Sequence, residues 1–531
     1  MALKASLGMG LLAALLLPVA GARQQDPAKS ASPLAVASSA RSLPPHSTAA
    51  NGAAAVPAKP ATWRLGRLTL TACELAQPHS GLSTPAWCAK FPVPENRADP
   101  RSRRIELNLA VLRSSSPVAD PDMLVFLAGG PGQAATESAR IIAPVFGPLL
   151  AHHHVLLLDQ RGTGGSNALD CPEHDEAQAA DAGTSFDVVT VRRAALDCLA
   201  TVSRHADPRY YTTTAAVQDL EDVRRALGGP SFDLVGVSYG TRMAQQYLRA
   251  FPDSVRSMVL DSVVPNSLVL GESFASDLEA ALHALFSRCT AEPACARQFG
   301  DPQQTLTQLR DALRANPHLV TYRDPQTYQS SQQMLDEDLL ASVVRMFSYT
   351  PATAALLPLS IDSAAHGDVG PLLGQAKILS GDLTELAGSG MQYSVICSED
   401  ADLYRPRPQD ADTLLGTHLV DALKTICSVW PKGTRPVDFH APLVSAKPSL
   451  LLAGQYDPVT PPRYAQEVAG HLADARVLVL RGQAHSVMAA GCAPELIKQF
   501  IQKLDPKGLD ASCLDRLQPT PIFLNFNGAL P

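Results

Sequence analysis

The sequence has little charge and no long run of one sign. Only 18% of its 531 residues are Asp, Glu, Lys or Arg, and the formal net charge is −7. A nucleic-acid partner is therefore not expected, because such proteins concentrate the basic residues that neutralise phosphates. A small neutral or cationic substrate remains compatible with this balance, and the length allows a main domain with a sizeable insertion.

The usual patterns of phosphate and zinc sites are also missing. The sequence has no Gly-x-x-x-x-Gly-Lys loop for a nucleotide phosphate, and no Cys-x-x-Cys pair with a nearby histidine for zinc. The run His152-His-His154 is a poor metal site, because consecutive residues of a strand point to opposite faces. We therefore expect no cofactor and no metal.

The N-terminus is typical of an exported protein. Lys4 precedes an apolar run over residues 7–20, and Ala20-Gly-Ala22 fits a cleavage site of small residues. Because the run is shorter than a membrane-spanning helix, we predict a cleaved signal peptide over residues 1–22, a secreted or periplasmic protein and no membrane partner beyond export. Residues 23–61 are rich in Ala, Ser and Pro, which predicts a linker, although a cleaved pro-segment fits the same composition.

The cysteines all follow this linker. An even number in an exported chain predicts disulfides. Pairing in sequential order would close five short loops, but sequence alone does not fix the connectivity. The ten residues are Cys73, Cys88, Cys171, Cys198, Cys289, Cys295, Cys397, Cys427, Cys492 and Cys513.

The apolar pattern changes along the chain from alternating to continuous. Residues 67–71 and 104–112 alternate apolar and polar side chains, as half-buried antiparallel strands do. Continuous apolar runs, typical of strands buried on both faces, follow. They lie at 123–127, 154–158, 232–235, 258–260, 449–452 and 477–480. We therefore predict an α/β fold with a doubly wound, mostly parallel sheet and an antiparallel start.

The segment between the predicted strands at 258–260 and 449–452 has a different pattern. From 264 to 442 it shows helical periods and no buried strand run, and strand runs resume after Pro442. This order favours a mainly helical cap inserted into the sheet over a separate downstream domain. The predicted organisation is a core in two parts, 62–263 and 443–531, around a cap at 264–442.

The sequence Gly236-Val-Ser238-Tyr-Gly240 joins an apolar strand pattern to a helical one. A serine on so sharp a turn needs small neighbours, and the turn displays its hydroxyl above the sheet. Gly-x-Ser-x-Gly alone recurs by chance, but the flanking elements make it specific. We predict Ser238 as a nucleophile.

A serine nucleophile needs a base and a carboxylate that orients the base. Asp457 follows one predicted strand and His485 follows the next, so their loops are neighbours. Asp261 also ends a strand, but its loop is not next to the strand that delivers the histidine. His471 lies in a helical stretch and is the weaker base. We predict Asp457 and His485 as the partners of the nucleophile.

The oxyanion of an acyl-transfer reaction needs backbone N–H donors. Gly129-Gly130-Pro-Gly132 follows the first buried strand, and its glycines allow the backbone to approach a substrate carbonyl closely. We predict donors from Gly129 and Gly130, together with the N–H of Tyr239. Asp159 and Arg161, after the next strand, are interpreted as a pair that braces this loop.

These motifs together resemble a known family. Gly129-Gly-Pro-Gly132, Asp159-Gln-Arg-Gly-Thr-Gly-Gly-Ser166, Gly236-Val-Ser-Tyr-Gly-Thr241 and the late Asp457 and His485 resemble the α/β-hydrolase serine peptidases of the proline iminopeptidase and tripeptidyl aminopeptidase group. In combination the motifs are highly specific, and the resemblance implies the α/β-hydrolase fold with an inserted cap.

The resemblance extends from about Cys73 to Cys513 and favours one branch of the group. Proline iminopeptidases usually have His before Gly-Gly-Pro-Gly, where this chain has Ala128, so the tripeptidyl aminopeptidase branch is the closer one. The family's triad and oxyanion donors fall on Ser238, Asp457, His485, Gly129, Gly130 and Tyr239. Family members are exported and act without a metal.

The resemblance implies an exported aminopeptidase that releases N-terminal residues or short peptides through an acyl-enzyme. A carboxylesterase or lipase-like hydrolase acting on a small ester would use the same triad, and a non-catalytic binding protein on this fold is a third alternative. Within Cys397-Ser-Glu399-Asp400, Glu399 resembles a family carboxylate that reads the substrate's free amine. A surface carboxylate beside a disulfide is the alternative role.

Overall fold

The computed structural model describes residues 60–76, 82–171, 187–325, 327–386 and 390–529. For residues 379–386 it describes the backbone only. The predicted signal peptide and nearly all of the predicted linker lie outside the described residues. Within the described ranges, no helix is both long and apolar enough to cross a bilayer.

The strands are given first, in chain order. Strands β1 to β6 span Thr62–Leu65, Leu68–Ala76, Ser83–Pro94, Arg104–Leu112, Met123–Leu127 and His154–Leu158. Strands β7 to β12 span Phe232–Val237, Val255–Asp261, His318–Arg323, Ser330–Leu335, Ser449–Gly454 and Ala475–Leu480. The six continuous apolar runs that the sequence predicted for the sheet are all strands, as expected for segments buried on both faces.

The described residues form a ten-stranded sheet in the order β1-β2-β3-β4-β6-β5-β7-β8-β11-β12. Pairing is antiparallel from β1 through β4 to β6, and parallel from β6 to β12. The predicted mostly parallel sheet with an antiparallel start is confirmed. Strands β1 and β3, which extend the antiparallel start, were not predicted.

The helices also follow in chain order. Helices α1 to α5 span Ala143–Phe146, Val188–Val202, Thr213–Ala226, Tyr239–Ala250 and Phe274–Ala291. Helices α6 to α10 span Pro293–Phe299, Pro302–Ala315, Glu337–Phe347, Pro351–Ala354 and Leu357–Ala365. Helices α11 to α15 span Gly370–Leu386, Gly390–Glu399, His418–Val429, Pro462–Ala469 and Ala493–Lys503.

Two apolar clusters cover the two faces of the sheet. On β5, Met123 and Val125 belong to one cluster, whereas Leu124 and Phe126 belong to the other. Helices α3 and α4 pack in the first cluster, and α1 and α15 pack in the second. This alternation along one strand is the signature of a doubly wound sheet.

The chain between β8 and β11 carries an insertion whose two halves pack differently. The outer half, residues 274–386, closes a core around Leu282, Phe286 and Val344. The inner half, residues 390–443, contributes Tyr393 and Trp430 to the first cluster of the sheet and only Leu414 to the buried core of the outer half. The outer half also holds the antiparallel β9–β10 hairpin, which the sequence did not predict; the boundaries 264–442 of the predicted cap remain a prediction.

All ten cysteines form disulfides in sequential order. The pairs are Cys73–Cys88, Cys171–Cys198, Cys289–Cys295, Cys397–Cys427 and Cys492–Cys513. The predicted disulfides are confirmed, and the sequential pairing that the sequence left open is the one observed.

Candidate active site

Ser238 lies between the end of β7 and the start of α4, in a conformation that few residues adopt. Its φ is 54° and its ψ is −124°, the strained geometry of a nucleophile on a strand-to-helix turn. The glycines on both sides have a steric reason. A Cβ on Gly236 would lie 2.6 Å from the Gly240 carbonyl oxygen, and a Cβ on Gly240 would lie 2.0 Å from the Leu127 carbonyl oxygen.

Asp457 and His485 form a buried pair at this edge of the sheet. Asp457 follows β11 and His485 follows β12, and Nδ1 of the imidazole lies 3.0 and 2.9 Å from the two carboxylate oxygens. The Asp457 side chain has no exposed area, and that of His485 is 10% exposed. The structure therefore brings the two residues together as their neighbouring strands predicted.

Each residue of the pair shifts the pKa of the other in the direction that favours the charged form. Burial alone would raise the pKa of Asp457, but the neighbouring imidazole and N–H donors outweigh it, so the pKa lies below its ordinary value. Burial alone would lower the pKa of His485, but the Asp457 carboxylate outweighs it and the pKa is raised. This is the electrostatic arrangement of a carboxylate that stabilises an imidazolium.

Thr460 completes the pair and was missed in the sequence. Its hydroxyl donates to Asp457 at 2.8 Å and lies 3.2 Å from Nδ1 of His485. The backbone N–H groups of Val459 and Thr460 donate to the same carboxylate at 2.9 and 2.8 Å. The sequence signal for this contact is a threonine three residues after an aspartate in a proline-rich turn. In such turns the aspartate carboxylate commonly accepts from backbone N–H groups of the residues that follow it.

Asp261, the rejected alternative for the triad, supports the loop that carries the histidine. Its buried carboxylate accepts from the N–H groups of Val487 and Met488 at 3.0 and 2.8 Å, and burial raises its pKa to about 6. Its backbone carbonyl accepts from the N–H of Ser238 at 2.9 Å. His471, the rejected base, is exposed after α14.

Of the predicted oxyanion residues, Gly129 lies beside Ser238 and Tyr239 follows it in the chain. A Cβ on Gly129 would lie 3.2 Å from Cβ of Ser238, so the glycine loop passes close beside the serine. Gly130 has a φ of +103° and Gly132 of +126°, a region in which side chains are strained. Tyr239 opens α4, so its backbone N–H has no partner within the first helical turn.

The predicted pair of Asp159 and Arg161 is wrong. Asp159 accepts from the N–H and hydroxyl of Thr136, both at 2.9 Å, and so does brace the segment that follows the glycine loop. Arg161 instead points to helix α3, where Nε and Nη2 donate to Asp219 at 2.6 and 2.7 Å. The two side chains therefore brace different elements: Asp159 holds the segment after the glycine loop, and Arg161 holds helix α3.

Glu399 is not the surface carboxylate that the sequence offered as one alternative, because its side chain has no exposed area. Its role as a reader of the substrate's free amine stays a prediction. Its oxygens accept from the N–H and the hydroxyl of Thr213 at 2.6 and 2.8 Å. Burial, with the neighbouring Asp400 adding to it, raises its pKa to about 8.

The outer half reaches the histidine through Tyr349. The Tyr349 carbonyl accepts from the backbone N–H of His485 at 3.0 Å, and the two rings meet edge to face with centroids 5.2 Å apart. Nη2 of Arg345, on the last turn of α8, lies 3.5 Å from the Tyr349 hydroxyl. The edge of the outer half therefore forms part of the wall of the site.

In the described ranges, the candidate metal ligands form one group, Asp120, Asp122 and His153. Asp122 and His153 immediately precede β5 and β6, at the sheet edge opposite to Ser238. Nη2 of Arg256 lies 3.0 Å from Asp122, so the Arg256 guanidinium already supplies a positive charge to this cluster. It has no contact with the candidate active site.

The fold and this site define a hydrolase, and comparison with known proteins agrees. A family model described as the alpha/beta hydrolase fold matches residues 122–489, and the chain belongs to this family. The match spans β5 to the loop after β12, and therefore all three of Ser238, Asp457 and His485.

Curated relatives include serine peptidases at low identity. The chain is 23% identical over 412 residues to a putative hydrolase, YuaR, of Escherichia coli, covering 71% of this chain and 77% of that protein. It is 24% identical over 474 residues to the serine protease Hip1 of Mycobacterium tuberculosis, covering 81% and 88%. It is 28% identical over 196 residues to the tripeptidyl aminopeptidase of Streptomyces lividans, covering 34% of this chain and about a third (36%) of that relative. The resemblance to the tripeptidyl aminopeptidase group is confirmed at this level of similarity.

Proposed function

We propose that the protein is an exported serine aminopeptidase with Ser238, His485 and Asp457 as its catalytic triad. Ser238 attacks the scissile carbonyl, His485 accepts the serine proton and returns it to the leaving amine, and Asp457 holds the imidazole. Water then releases the acyl group by the same steps in reverse order. The observation that carries the proposal is the buried Asp457–His485 pair, at the sheet edge on which the strained Ser238 is displayed.

The hydrogen bonds of His485 support its role as the base. Because Nδ1 is held by Asp457, Nε2 is the nitrogen left for the serine proton. The raised pKa of His485 suits a base that must hold a proton while the tetrahedral intermediate forms. Ser238→Ala should abolish turnover while the protein still folds, since only a hydroxyl is lost from a half-buried position.

Donors for the oxyanion come from the glycine loop and from the start of α4. We propose the backbone N–H groups at Gly129, Gly130 and Tyr239, because the glycine loop passes beside the serine at Gly129 and Tyr239 begins the helix that follows the serine. Such fixed donors stabilise developing negative charge without reorganising during the reaction, and removing one from a serine peptidase costs about 100-fold to 1,000-fold in kcat.

The peptidase activity is supported by the relatives and by the contact of the outer half with the site. The proteins matched above include a tripeptidyl aminopeptidase and a serine protease, and the outer half places Tyr349 against the histidine. We propose that the outer half restricts access to chain ends and small molecules. An esterase would use the same triad, so activity on esters alone is an outcome of the test.

A substrate panel tests the proposal. Purified protein is assayed on unblocked aminoacyl and tripeptidyl amides, on the same compounds N-acylated, and on short-chain esters, with Ser238→Ala as the control. We expect cleavage of the unblocked amides, weaker cleavage of the N-acylated ones and none by the variant. Turnover of esters only would replace the aminopeptidase with a carboxylesterase, and activity of a folded Ser238→Ala protein would refute the triad.

Export is proposed from the N-terminal pattern together with the five disulfides, which form in oxidising compartments. Cleavage after Ala22 would leave the mature chain starting at Arg23. Mass spectrometry of the N-terminus of protein recovered from the periplasm or the medium tests this, and a chain that retains Met1 would contradict it.

A further inference from the structure

A line of buried polar side chains runs from the inner half of the insertion to the residue after the nucleophile. Glu399, at the end of α12, accepts from the N–H of Thr213 at 2.6 Å and from its hydroxyl at 2.8 Å. The Thr213 hydroxyl oxygen lies 2.5 Å from the Tyr239 hydroxyl. Nε2 of Gln160 donates to the same Tyr239 hydroxyl at 3.1 Å, so the tyrosine is held from two sides.

The position of Glu399 is specific, because it satisfies a helix that begins elsewhere in the chain. Thr213 is the first residue of α3, and the first N–H groups of a helix have no partner inside it. The Glu399 carboxyl supplies that partner across 186 residues of sequence. Thr213 and Glu399 have no exposed area, and Tyr239 is 1% exposed.

Burying this carboxyl is costly, which argues that the position has a use. Among the described residues no cation lies within ion-pair distance of it, and burial raises its pKa to about 8. At neutral pH the carboxyl is therefore largely protonated. Its two oxygens accept one hydrogen bond each, from the N–H and from the hydroxyl of Thr213.

We propose that Glu399 and Thr213 are positioning residues that hold Tyr239, and with it the backbone N–H that binds the oxyanion. The inference rests on the proposed function, because that N–H matters only if Ser238 forms a tetrahedral intermediate. Glu399 thereby helps to stabilise the transition state through Tyr239, without contacting the substrate itself.

The decisive variants act on the middle of the line. Thr213→Val removes the hydroxyl, whereas Thr213→Ser retains it. We expect Thr213→Val to lower kcat by at least about tenfold with KM within about twofold, since displacing an oxyanion donor weakens the transition state more than the bound substrate. Thr213→Ser should recover most of the lost kcat.

A matched pair at Glu399 separates hydrogen bonding from packing. Glu399→Gln keeps a similar shape and one amide oxygen that accepts from Thr213, whereas Glu399→Ala keeps no acceptor. We expect Gln to recover most of the kcat that Ala loses. Ser394→Ala is the control, because Ser394 is a buried residue of the same helix whose hydroxyl bonds to Gly390 and Trp430 instead.

All variants are measured with p-nitrophenyl acetate, which reports on the triad whether the natural substrate is a peptide or an ester, and circular dichroism verifies folding. Affinity for a peptide trifluoromethyl ketone, which forms a tetrahedral adduct, should fall in parallel with kcat. Wild-type kcat in folded Thr213→Val, or a loss as large in Ser394→Ala, would overturn the inference while an inactive Ser238→Ala left the proposed function intact. Activity in folded Ser238→Ala would overturn both.

Discussion

The two halves of the insertion differ in what they pack against. The outer half closes its own apolar core, in which Leu340 and Leu357 have no exposed area. The inner half has no separate core: Ile396 and Trp430 pack in the cluster that also contains Leu234 of the nucleophile strand. The outer half is therefore an added module, and the inner half is part of the scaffold that carries the candidate site.

One ion pair from each half shows the same contrast. Asp400 of the inner half pairs with Arg242 of the nucleophile helix α4 at 2.9 Å, and neither side chain has any exposed area. In the outer half Arg314 pairs with Glu337, with side chains 41% and 18% exposed. We infer that loss of the Asp400–Arg242 pair shifts the nucleophile helix α4, whereas loss of the Arg314–Glu337 pair leaves it in place.

The largest expected contrast is in kcat, between a change to the triad of the core and a change to the residue of the outer half that contacts it. Asp457→Asn should lower kcat by about 1,000-fold to 10,000-fold, because the amide no longer fixes the imidazole in the required tautomer. Tyr349→Ala should act mainly on KM and by less than about tenfold in kcat, because the tyrosine ring only covers the histidine. Steady-state kinetics on one substrate check both, and a larger loss of kcat in Tyr349→Ala would reverse the comparison.

The next contrast is in stability. Asp400→Ala leaves the Arg242 guanidinium buried without its partner, which costs about 3–5 kcal/mol of unfolding free energy. Glu337→Ala breaks a partly exposed pair and should cost at most about 1 kcal/mol. Urea unfolding of both variants measures the difference. Equal losses would show that the inner half is not more tightly bound to the scaffold than the outer half.

A disulfide from each half gives a smaller contrast. Cys397–Cys427 of the inner half joins residues 30 apart in sequence, and Cys289–Cys295 of the outer half joins residues 6 apart. Loop-closure entropy predicts a loss of ~3.6 kcal/mol when both inner cysteines become serine and ~2.2 kcal/mol for the outer pair. Thermal and urea unfolding under oxidising conditions check the order, which a greater loss for the outer pair would contradict.

The smallest contrast is a shift in pH dependence. His485 acts as a base only when neutral, and its pKa is raised above the ordinary 6.5. The value of kcat/KM should therefore fall as the pH is lowered through a midpoint above 6.5. Asp457→Asn removes the charge that stabilises the imidazolium and should move the midpoint to lower pH in the residual activity.

Tyr349→Phe is the matched control for this shift, since it retains the ring and the backbone carbonyl that contact His485. It should move the midpoint less than Asp457→Asn does. If instead the midpoint of Asp457→Asn stayed at the wild-type value, the carboxylate would not control the protonation of His485.

The sheet could be predicted from the sequence because its central strands are buried on both faces. Met123–Leu127 and Ser449–Gly454 are fully buried and read as continuous apolar runs. The β9–β10 hairpin could not, because it lies on the surface of the outer half and Leu335 is the one fully buried side chain of its two strands. A hairpin with so little buried surface leaves no hydrophobic period to detect.

The candidate site was predictable as far as it depends on strand ends and tight turns. Ser238 could be found from the glycines that its turn requires, and Asp457 and His485 from the strands before them. The burial of Glu399 could not, because its partner Thr213 begins a helix 186 residues earlier. Arg161 was paired wrongly for the same reason: its acceptor Asp219 is a helix residue that only the tertiary fold brings near.

The most direct test of the account is the labelling of the intact protein with a fluorophosphonate probe, which forms a covalent bond with an activated serine. Peptide mass spectrometry then locates the label. The account predicts stoichiometric labelling of Ser238, and loss of that labelling in His485→Ala. Absence of the label from Ser238 in the folded wild-type protein, or equal labelling in folded His485→Ala, would contradict it.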